Sequence, residues 1–120
     1  MSIFKTMFVL VVVLVMGLSL TLVAGTGYTE EGDVERGKTL FNDPTLGGGT
    51  MGKSCNSCHP GGRGLEKAAD KEEFKILGKT LKGLEDAVNL CIEMALKGKS
   101  IDPESQDMAD IVAYIKSLKK

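Results

Sequence analysis

The chain has 120 residues, with 16 acidic against 15 basic side chains and a formal net charge of −1 at pH 7. A chain of this length accommodates one domain. The nearly even balance of charges excludes the strongly basic surface of nucleic-acid-binding proteins, so we expect no nucleic acid partner.

The first predicted element is an export signal in residues 1–25. Lys5 supplies a short positive region, and the run from Met7 to Ala24 is almost wholly apolar before small residues follow. This order predicts a secretory signal peptide cleaved after Gly25. The apolar run is also about long enough to span a bilayer, so an uncleaved membrane anchor is the alternative. Either interpretation places the rest of the chain outside the cytoplasm, in the periplasm or its equivalent, soluble or tethered to the membrane.

A flexible leader is predicted over residues 26–32, followed by one domain over residues 33–120. Asp33 is a suitable N-cap for a first helix, which Asn42-Asp43-Pro44 ends. The apolar positions of that helix recur at helical spacing: Val34, Gly37, Leu40 and Phe41. Residues 47–54 in the next connector match the letters of a phosphate-binding P-loop. No apolar strand precedes them, so nucleotide binding is not expected.

The segment Cys55-Asn56-Ser57-Cys58-His59 is the attachment signature of c-type haem. Each thiol can add to one vinyl group of the porphyrin, and the imidazole of His59 supplies the proximal iron ligand. His59 is the only histidine of the chain, which leaves too few ligands for a two-histidine zinc site. A redox dithiol would need a βαβ context, and a structural disulfide would leave His59 unexplained. We therefore predict one covalent haem c with iron, attached by haem maturation machinery.

The C-terminal half is predicted to be helical, and no strand pattern is recognised in it. Residues 66–77 are charged, and one or two helical turns anchored by Phe74 and Leu77 are expected there. An amphipathic helix is predicted from Leu84 to Leu96, closed by Gly98. Asp102-Pro103 supply a cap and a first-turn proline for the last helix. Its inner stripe is formed by Met108, Ile111, Val112, Ile115 and Leu118.

Three segments of the chain resemble class I cytochromes c: the haem motif, the stretch Gly37–Phe41 and the pair Ala113-Tyr114. The resemblance implies an all-α fold of three to four helices wrapped around one covalently bound haem. It also implies a close crossing of the first and last helices, with Gly37 and Tyr114 at the crossing. The implied role is a monohaem electron carrier between extracytoplasmic redox proteins, with no substrate turned over.

The distal iron ligand is left open, because the family's methionine precedes the last helix and residues 98–102 contain none. Cys91 lies central in its apolar stripe, and the segment Val88–Cys91 resembles the distal segment of thiosulfate-oxidising cytochromes, where a cysteine binds iron. Met108 lies central on the inner face of the last helix. Met94 lies off the stripe of its helix. Each of the three side chains could also simply pack in the hydrophobic core. In that case the sixth coordination position of the iron would be vacant or occupied by water.

Three functions follow from these alternatives. The predicted function is electron transfer, with redox proteins as partners and a membrane contact only if the N-terminal segment stays uncleaved. A haem subunit or partner of a thiosulfate-oxidising system, with Cys91 acting at the haem, is the first alternative. A haem protein that binds a small gas at a vacant position is the second. The missing loop methionine predicts a reduction potential below that of ordinary class I members.

Overall fold

The computed structural model describes residues 31–120, so the predicted signal peptide and most of the leader lie outside the described residues. The helices are α1 (Val34–Phe41), the single turn α2 (Cys55–Cys58), α3 (Leu84–Cys91) and α4 (Gln106–Ser117), and a π-helix (Ile92–Leu96) continues α3. Two strands, β1 (Glu73–Ile76) and β2 (Lys79–Lys82), precede α3. Short 3₁₀ turns lie at Leu46–Gly48, Pro60–Gly62 and Ala68–Asp70. None of the helices in this range is long and apolar enough to cross a membrane.

Helix α1 begins directly after Asp33, which is its N-cap as the sequence predicts. The carboxylate of Asp33 accepts hydrogen bonds from the backbone N–H groups of Glu35 at 2.9 Å and Arg36 at 3.0 Å. These groups have no partner inside the helix, so the cap satisfies them. Asn42 follows the last helical residue, as the sequence predicts.

The first and last helices cross at Gly37, which confirms the predicted crossing. A methyl group at Gly37 would lie 1.9 Å from the backbone oxygen of Asp110 and 3.0 Å from Cβ of Tyr114. Only a residue without a side chain lets the two backbones approach this closely. The rings of Phe41 and Tyr114 pack edge to face beside the crossing, with centroids 5.1 Å apart.

A buried carboxylate fastens the same crossing. Asp110 on α4 is 0% exposed and accepts hydrogen bonds from the backbone N–H of Asp33 and the side-chain amide of Gln106, each at 2.7 Å. Arg36 pairs with Asp110 and with the more exposed Asp107. Each oxygen of the buried carboxylate therefore has a donor, as burial of a charge requires.

The two strands correct the all-α prediction. The strands β1 and β2 form an antiparallel hairpin with Phe74 opposite Leu81, and the turn residues Leu77 and Gly78 have φ of 51° and 76°. Phe74 is buried and Ile76 partly buried, while their neighbours are exposed. This alternation is the strand period. Phe74 is an anchor as predicted, but the prediction for Leu77 was wrong, because Leu77 stands at the turn and is 71% exposed.

The helix predicted from Leu84 to Leu96 has these bounds in the structure, but only its first part is an α-helix. Its α-helical hydrogen bonding ends at Cys91, and the π-helix continues to Leu96. Lys97 then adopts a left-handed conformation with φ of 56°, and the N–H of Gly98 donates to the carbonyl of Ile92 at 3.1 Å. Gly98 thus takes part in the closing turn, as predicted.

The start of the last helix was predicted wrongly. Helix α4 begins at Gln106, and Ser105 is its cap, with the hydroxyl accepting from the N–H of Met108 at 3.3 Å. The carbonyl of Asp102 is bound by the N–H and the hydroxyl of Ser105, at 3.0 and 2.6 Å. Asp102-Pro103 therefore form a turn before the helix. The predicted inner stripe is buried from Met108 to Ile115, and Leu118 is partly buried.

Candidate haem site

The core of the domain surrounds a cavity of about 740 Å³. Its wall is made largely by apolar side chains from α1, the hairpin, α3 and α4: Phe41, Phe74, Leu84, Val88, Ile111 and Ile115. Cys55, His59 and Cys91 line the same cavity. A larger cleft of about 950 Å³ runs along α4 between Val34 and Lys116, and its lining contains no cysteine and no histidine. The apolar cavity, and not the larger cleft, is therefore the candidate site.

The single turn α2 presents the paired cysteines. The N–H of Ser54 donates to the hydroxyl of Ser57 at 3.0 Å, which closes a capping box around the turn. The N–H of His59 donates to the carbonyl of Cys55 at 2.9 Å. Cys55 is half-buried in the cavity wall, whereas Cys58 is exposed. The turn places both thiols and the imidazole on one short piece of backbone.

The ring of His59 is oriented by a backbone carbonyl. Its Nδ1 lies 3.1 Å from the oxygen of Arg63. A carbonyl only accepts, so Nδ1 carries the proton and Nε2 presents a lone pair. A hydrogen bond of this kind fixes the tautomer and ring direction of a metal-binding histidine. The N–H of Gly61 donates to the side-chain oxygen of Asn56 at 2.8 Å and holds the turn that brings Arg63 back.

No disulfide joins any two of the three cysteines Cys55, Cys58 and Cys91, all of which lie in the part of the chain that the structure describes. Burial, and after it the neighbouring thiol of Cys91, raise the pKa of Cys55 to about 11. Burial also raises the pKa of Cys91, with Cys58 as the second cause. The mutual influence means that α2 and the end of α3 bring the thiols to one region of the cavity. At neutral pH these thiols are protonated unless a bound cation favours the thiolate.

The three candidate distal ligands lie in different places. Cys91 lines the cavity and is half-buried. Met108 is 0% exposed, but it contributes to the larger cleft and not to the cavity lining. Met94 is 47% exposed. The structure thus brings Cys91 together with Cys55 and His59, and it brings neither methionine to them.

The residues of the cavity fit a haem group. Its volume is within the range of cofactor sites, and most of its wall is apolar, as a porphyrin face requires. Cys55 and His59 reach it from one element and Cys91 from another. Lys71 and Lys75 also line it and would supply cations for the carboxylates that a haem carries.

The sequence model of the SoxA/TsdA cytochrome c domain matches residues 36–120, which contain every residue that lines the cavity. The chain belongs to the SoxA/TsdA cytochrome c domain family. A cytochrome c domain carries covalent haem c with iron, and this domain supports haem-based electron transfer. The recognised resemblance to class I and thiosulfate-oxidising cytochromes is thereby confirmed.

A curated relative agrees with the SoxA/TsdA assignment. It is the L-cysteine S-thiosulfotransferase subunit SoxA of Chlorobaculum thiosulfatiphilum, 36% identical over 88 residues. These residues are 73% of this chain but only 28% of the relative, so the chain spans little more than a quarter of that protein's length. No solved structure matches the chain.

Sequence reasoning missed two polar groups of this SoxA/TsdA domain that make hydrogen bonds close to the site residues in sequence. One is the carbonyl of Arg63, which orients His59. The other is the side chain of Asn89, which binds the backbone of Ile101 at 2.9 Å through both its oxygen and its nitrogen. The carbonyl has no signal in a sequence, because every residue carries one. Asn89 could have been noticed as a polar residue beside the apolar stripe of its helix.

Proposed function

We propose that the domain holds one haem c and carries single electrons within a thiosulfate-oxidising system, with Cys91 as the distal iron ligand. In this proposal Cys55 and Cys58 are the covalent attachment points and His59 is the proximal ligand. The observation that carries it is the placement of Cys91 in the same apolar cavity as Cys55 and His59. Membership of the SoxA/TsdA family supports the thiosulfate context.

When bound, haem c supplies an iron that gains and loses one electron. The chain's own residues do the rest. The thioether positions fix the group in the cavity, and the carbonyl of Arg63 holds the lone pair of His59 in a constant direction. The apolar wall excludes water, which keeps the surroundings alike in both redox states. Electrons would reach partner redox proteins near the turn α2, where Cys58 is exposed.

A cysteine ligand has a thermodynamic consequence. A thiolate donates more electron density than a thioether and favours the oxidised iron. We therefore expect a reduction potential below that of cytochromes with histidine and methionine ligands. Electrochemistry of the holoprotein tests this expectation, and a potential in the strongly positive range of ordinary class I members would contradict it.

The ligand assignment is tested by spectroscopy of matched variants. The ferric holoprotein is expected to show low-spin thiolate ligation by electron paramagnetic resonance and to lack the far-red absorption band of methionine–iron bonds. Cys91→Ala should abolish the thiolate signal. Met94→Ala is the control, because this side chain is exposed and should leave both spectra unchanged. A far-red band in the wild type that disappears in Met108→Ala would reject Cys91 as the ligand.

A catalytic contribution is the second candidate, and the relative named as an L-cysteine S-thiosulfotransferase subunit favours it. In that case Cys91 would act on a sulfur compound at the haem, with a second protein completing the enzyme. Thiosulfate oxidation would be measured as reduction of an added cytochrome, for the holoprotein alone and with a candidate partner chain. Turnover that disappears in Cys91→Ala supports this role. Electron exchange without turnover supports the carrier alone.

Export of the domain is part of the proposal. The order of residues in 1–25 supports a signal peptide, and attachment of c-type haem outside the cytoplasm requires export. Cell fractionation should place the holoprotein in the periplasm, with Thr26 as its first residue. Recovery in the membrane fraction with residues 1–25 still present would instead identify a membrane anchor.

A further inference from the structure

The side chain of Asn89 joins α3 to the segment that precedes the last helix. Its Nδ2 donates to the carbonyl of Ile101 and its Oδ1 accepts from the N–H of the same residue, each at 2.9 Å. The amide therefore pairs with one backbone unit in both directions, as a neighbouring strand would. Such a two-bond contact fixes direction as well as distance.

Helix geometry connects this contact to the cavity. Asn89 and Cys91 are two residues apart, which is about 200° around an α-helix. The amide thus lies nearly opposite the thiol, and Cys91 lines the cavity while Asn89 does not. If α3 rotated about its axis, both side chains would move, and because they lie on opposite faces they would move in opposite directions. Holding the amide of Asn89 therefore holds the direction of the thiol.

The partner of Asn89 is itself anchored. The N–H of Lys99 donates to the carbonyl of Gly47 at 2.7 Å, and the hydroxyl of Ser100 donates to Glu93 at 2.6 Å. These bonds tie the segment before Ile101 to the connector that contains Gly47 and to the π-helix Ile92–Leu96. A side chain bound to Ile101 is therefore bound to a fixed point of the domain.

The backbone from Asn89 to Cys91 is α-helical and changes type only after Cys91. Regular α-helical hydrogen bonding ends at Cys91, and the π-helix begins at the next residue. A π-turn is wider than an α-turn and interrupts the regular ladder. Cys91 itself keeps α-helical φ and ψ of −65° and −39°, so its side chain follows the rotation of α3. The side chain of Asn89, one half-turn earlier, ties this α-helical part to the segment before the last helix.

We propose that Asn89 is the positioning residue for the distal thiol: its amide, fastened to the backbone of Ile101, sets the rotation of α3 that turns Cys91 into the cavity. This inference rests on the proposed function, namely that Cys91 is the distal iron ligand. Asn89 touches neither the cavity nor the haem motif, so its effect is transmitted through the helix.

The test uses the ferric holoprotein and its thiolate signal in electron paramagnetic resonance. Asn89→Ala removes both hydrogen bonds, and we expect at least a threefold loss of the thiolate-ligated fraction. Asn89→Asp has nearly the same shape, which keeps the variant folded, but its ionised carboxylate cannot donate to the carbonyl of Ile101. It should lose thiolate-ligated iron as well, at a pH where the carboxylate is ionised.

Gln106→Ala is the matched control. It removes a side-chain amide that donates to Asp110 at 2.7 Å, on α4 and outside the cavity lining. It should lower the denaturation midpoint but leave the thiolate fraction unchanged. A full thiolate signal in both folded Asn89 variants would overturn the positioning role alone. Absence of that signal in the wild type would overturn the ligand assignment as well, so the two failures are distinguishable.

Discussion

Asp110 shows how one buried residue fastens the two ends of the domain. Among residues 31–120 it is the only acidic side chain that is buried, and it accepts hydrogen bonds from Asp33, Arg36 and Gln106. A buried carboxylate without partners would be strongly unfavourable. With three donors it links the N-terminal end of α1 to α4 through contacts that are far apart in sequence.

Replacement of Asp110 tests this link. Asp110→Ala leaves the N–H of Asp33 and the amide of Gln106 without their partner, and we expect a loss of about 2–3 kcal/mol in the free energy of unfolding. Urea denaturation of the holoprotein measures it. Asp107→Asn is the control, because Asp107 is 42% exposed and pairs with the same arginine at the surface. Its cost should stay below about 1 kcal/mol. Equal costs for the two variants would show that burial of Asp110 is unimportant.

The same carboxylate predicts a pH dependence. Burial by itself raises the pKa of Asp110, but the hydrogen bonds from Asp33, Gln106 and Arg36 outweigh it, so the pKa lies below the ordinary value of 3.8. The unfolded chain therefore binds a proton more readily than the native domain. The stabilisation by Asp110 is complete above pH 3.8 and is lost as the pH falls through the lowered pKa. Denaturation midpoints measured across this range should fall more steeply in the wild type than in Asp110→Asn.

At the scale of elements, the crossing of α1 and α4 depends on Gly37. Alanine usually stabilises a helix relative to glycine by about 1 kcal/mol. At Gly37 the added methyl would meet the backbone of Asp110 at 1.9 Å, so the helices must separate. We expect Gly37→Ala to destabilise the domain by about 2–3 kcal/mol, measured by urea denaturation. Thr39→Ala on the exposed side of α1 is the control, with a change below about 0.5 kcal/mol. A neutral Gly37→Ala would contradict the close approach.

The backbone of the hairpin turn is strained at Leu77, and a substitution there can relieve the strain. Leu77 has φ of 51°, a left-handed conformation that a branched apolar side chain rarely adopts, and it is 71% exposed. Asparagine tolerates this conformation, and Asn-Gly is the preferred pair for a two-residue turn of this kind. Leu77→Asn should raise the free energy of unfolding by about 0.5–1 kcal/mol, seen as a higher melting temperature. Leu77→Ala keeps the unfavourable backbone and should show no gain. Equal melting temperatures for Leu77→Asn and the wild type would count against the strain.

Local signals account for what could be predicted. The cap at Asp33, the apolar stripes and the haem motif each lie within a few adjacent residues, so their meaning does not depend on the rest of the fold. The hairpin escaped prediction because its strands are four residues long and its turn is Leu-Gly, without the usual Asn-Gly signal. Asp102 and Ser105 are both good caps, and the hydrogen bonds that Ser105 makes three residues to either side show which of them is used.

The site was predictable only in part for the same reason. The motif from Cys55 to His59 is contiguous, so it was recognised directly. The distal side is assembled from a separate helix, and helical spacing placed both Cys91 and Met108 centrally on an apolar stripe, with Met94 off its stripe. Which of them reaches the cavity depends on how α3 and α4 pack, and that is not encoded in any short pattern. The placement of Cys91 in the cavity lining, with Met108 outside it, comes from the structure alone.

At the scale of the whole molecule, the cavity occupies the place where a small domain would otherwise have its core. A volume of about 740 Å³ exceeds any side chain, and the residues around it include much of the apolar core. A domain of this size has little other burial to rely on. We therefore expect the bound group to contribute directly to folding.

Removal of the attachment points tests that dependence. The double variant Cys55→Ala, Cys58→Ala should lose covalent haem and melt at a temperature far below that of the holoprotein, or lose its cooperative transition altogether. Circular dichroism at increasing temperature measures this. Met94→Ala is again the control, since an exposed side chain should leave haem content and melting unchanged. A haem-free variant as stable as the holoprotein would show that the cavity wall is self-supporting.

The pairing of the first and last helices also dictates when the domain can become complete. Asp33 and Asp110 are joined by a hydrogen bond across 77 positions of the sequence. Ribosomes make proteins from the amino end, so α1 has no packing partner until α4 (Gln106–Ser117) has been synthesised. The packed domain therefore forms late and cooperatively, as expected when the contacts that hold it together join residues far apart in the sequence. A chain truncated before α4 would leave α1 without the helix it packs against, even though its haem motif is intact.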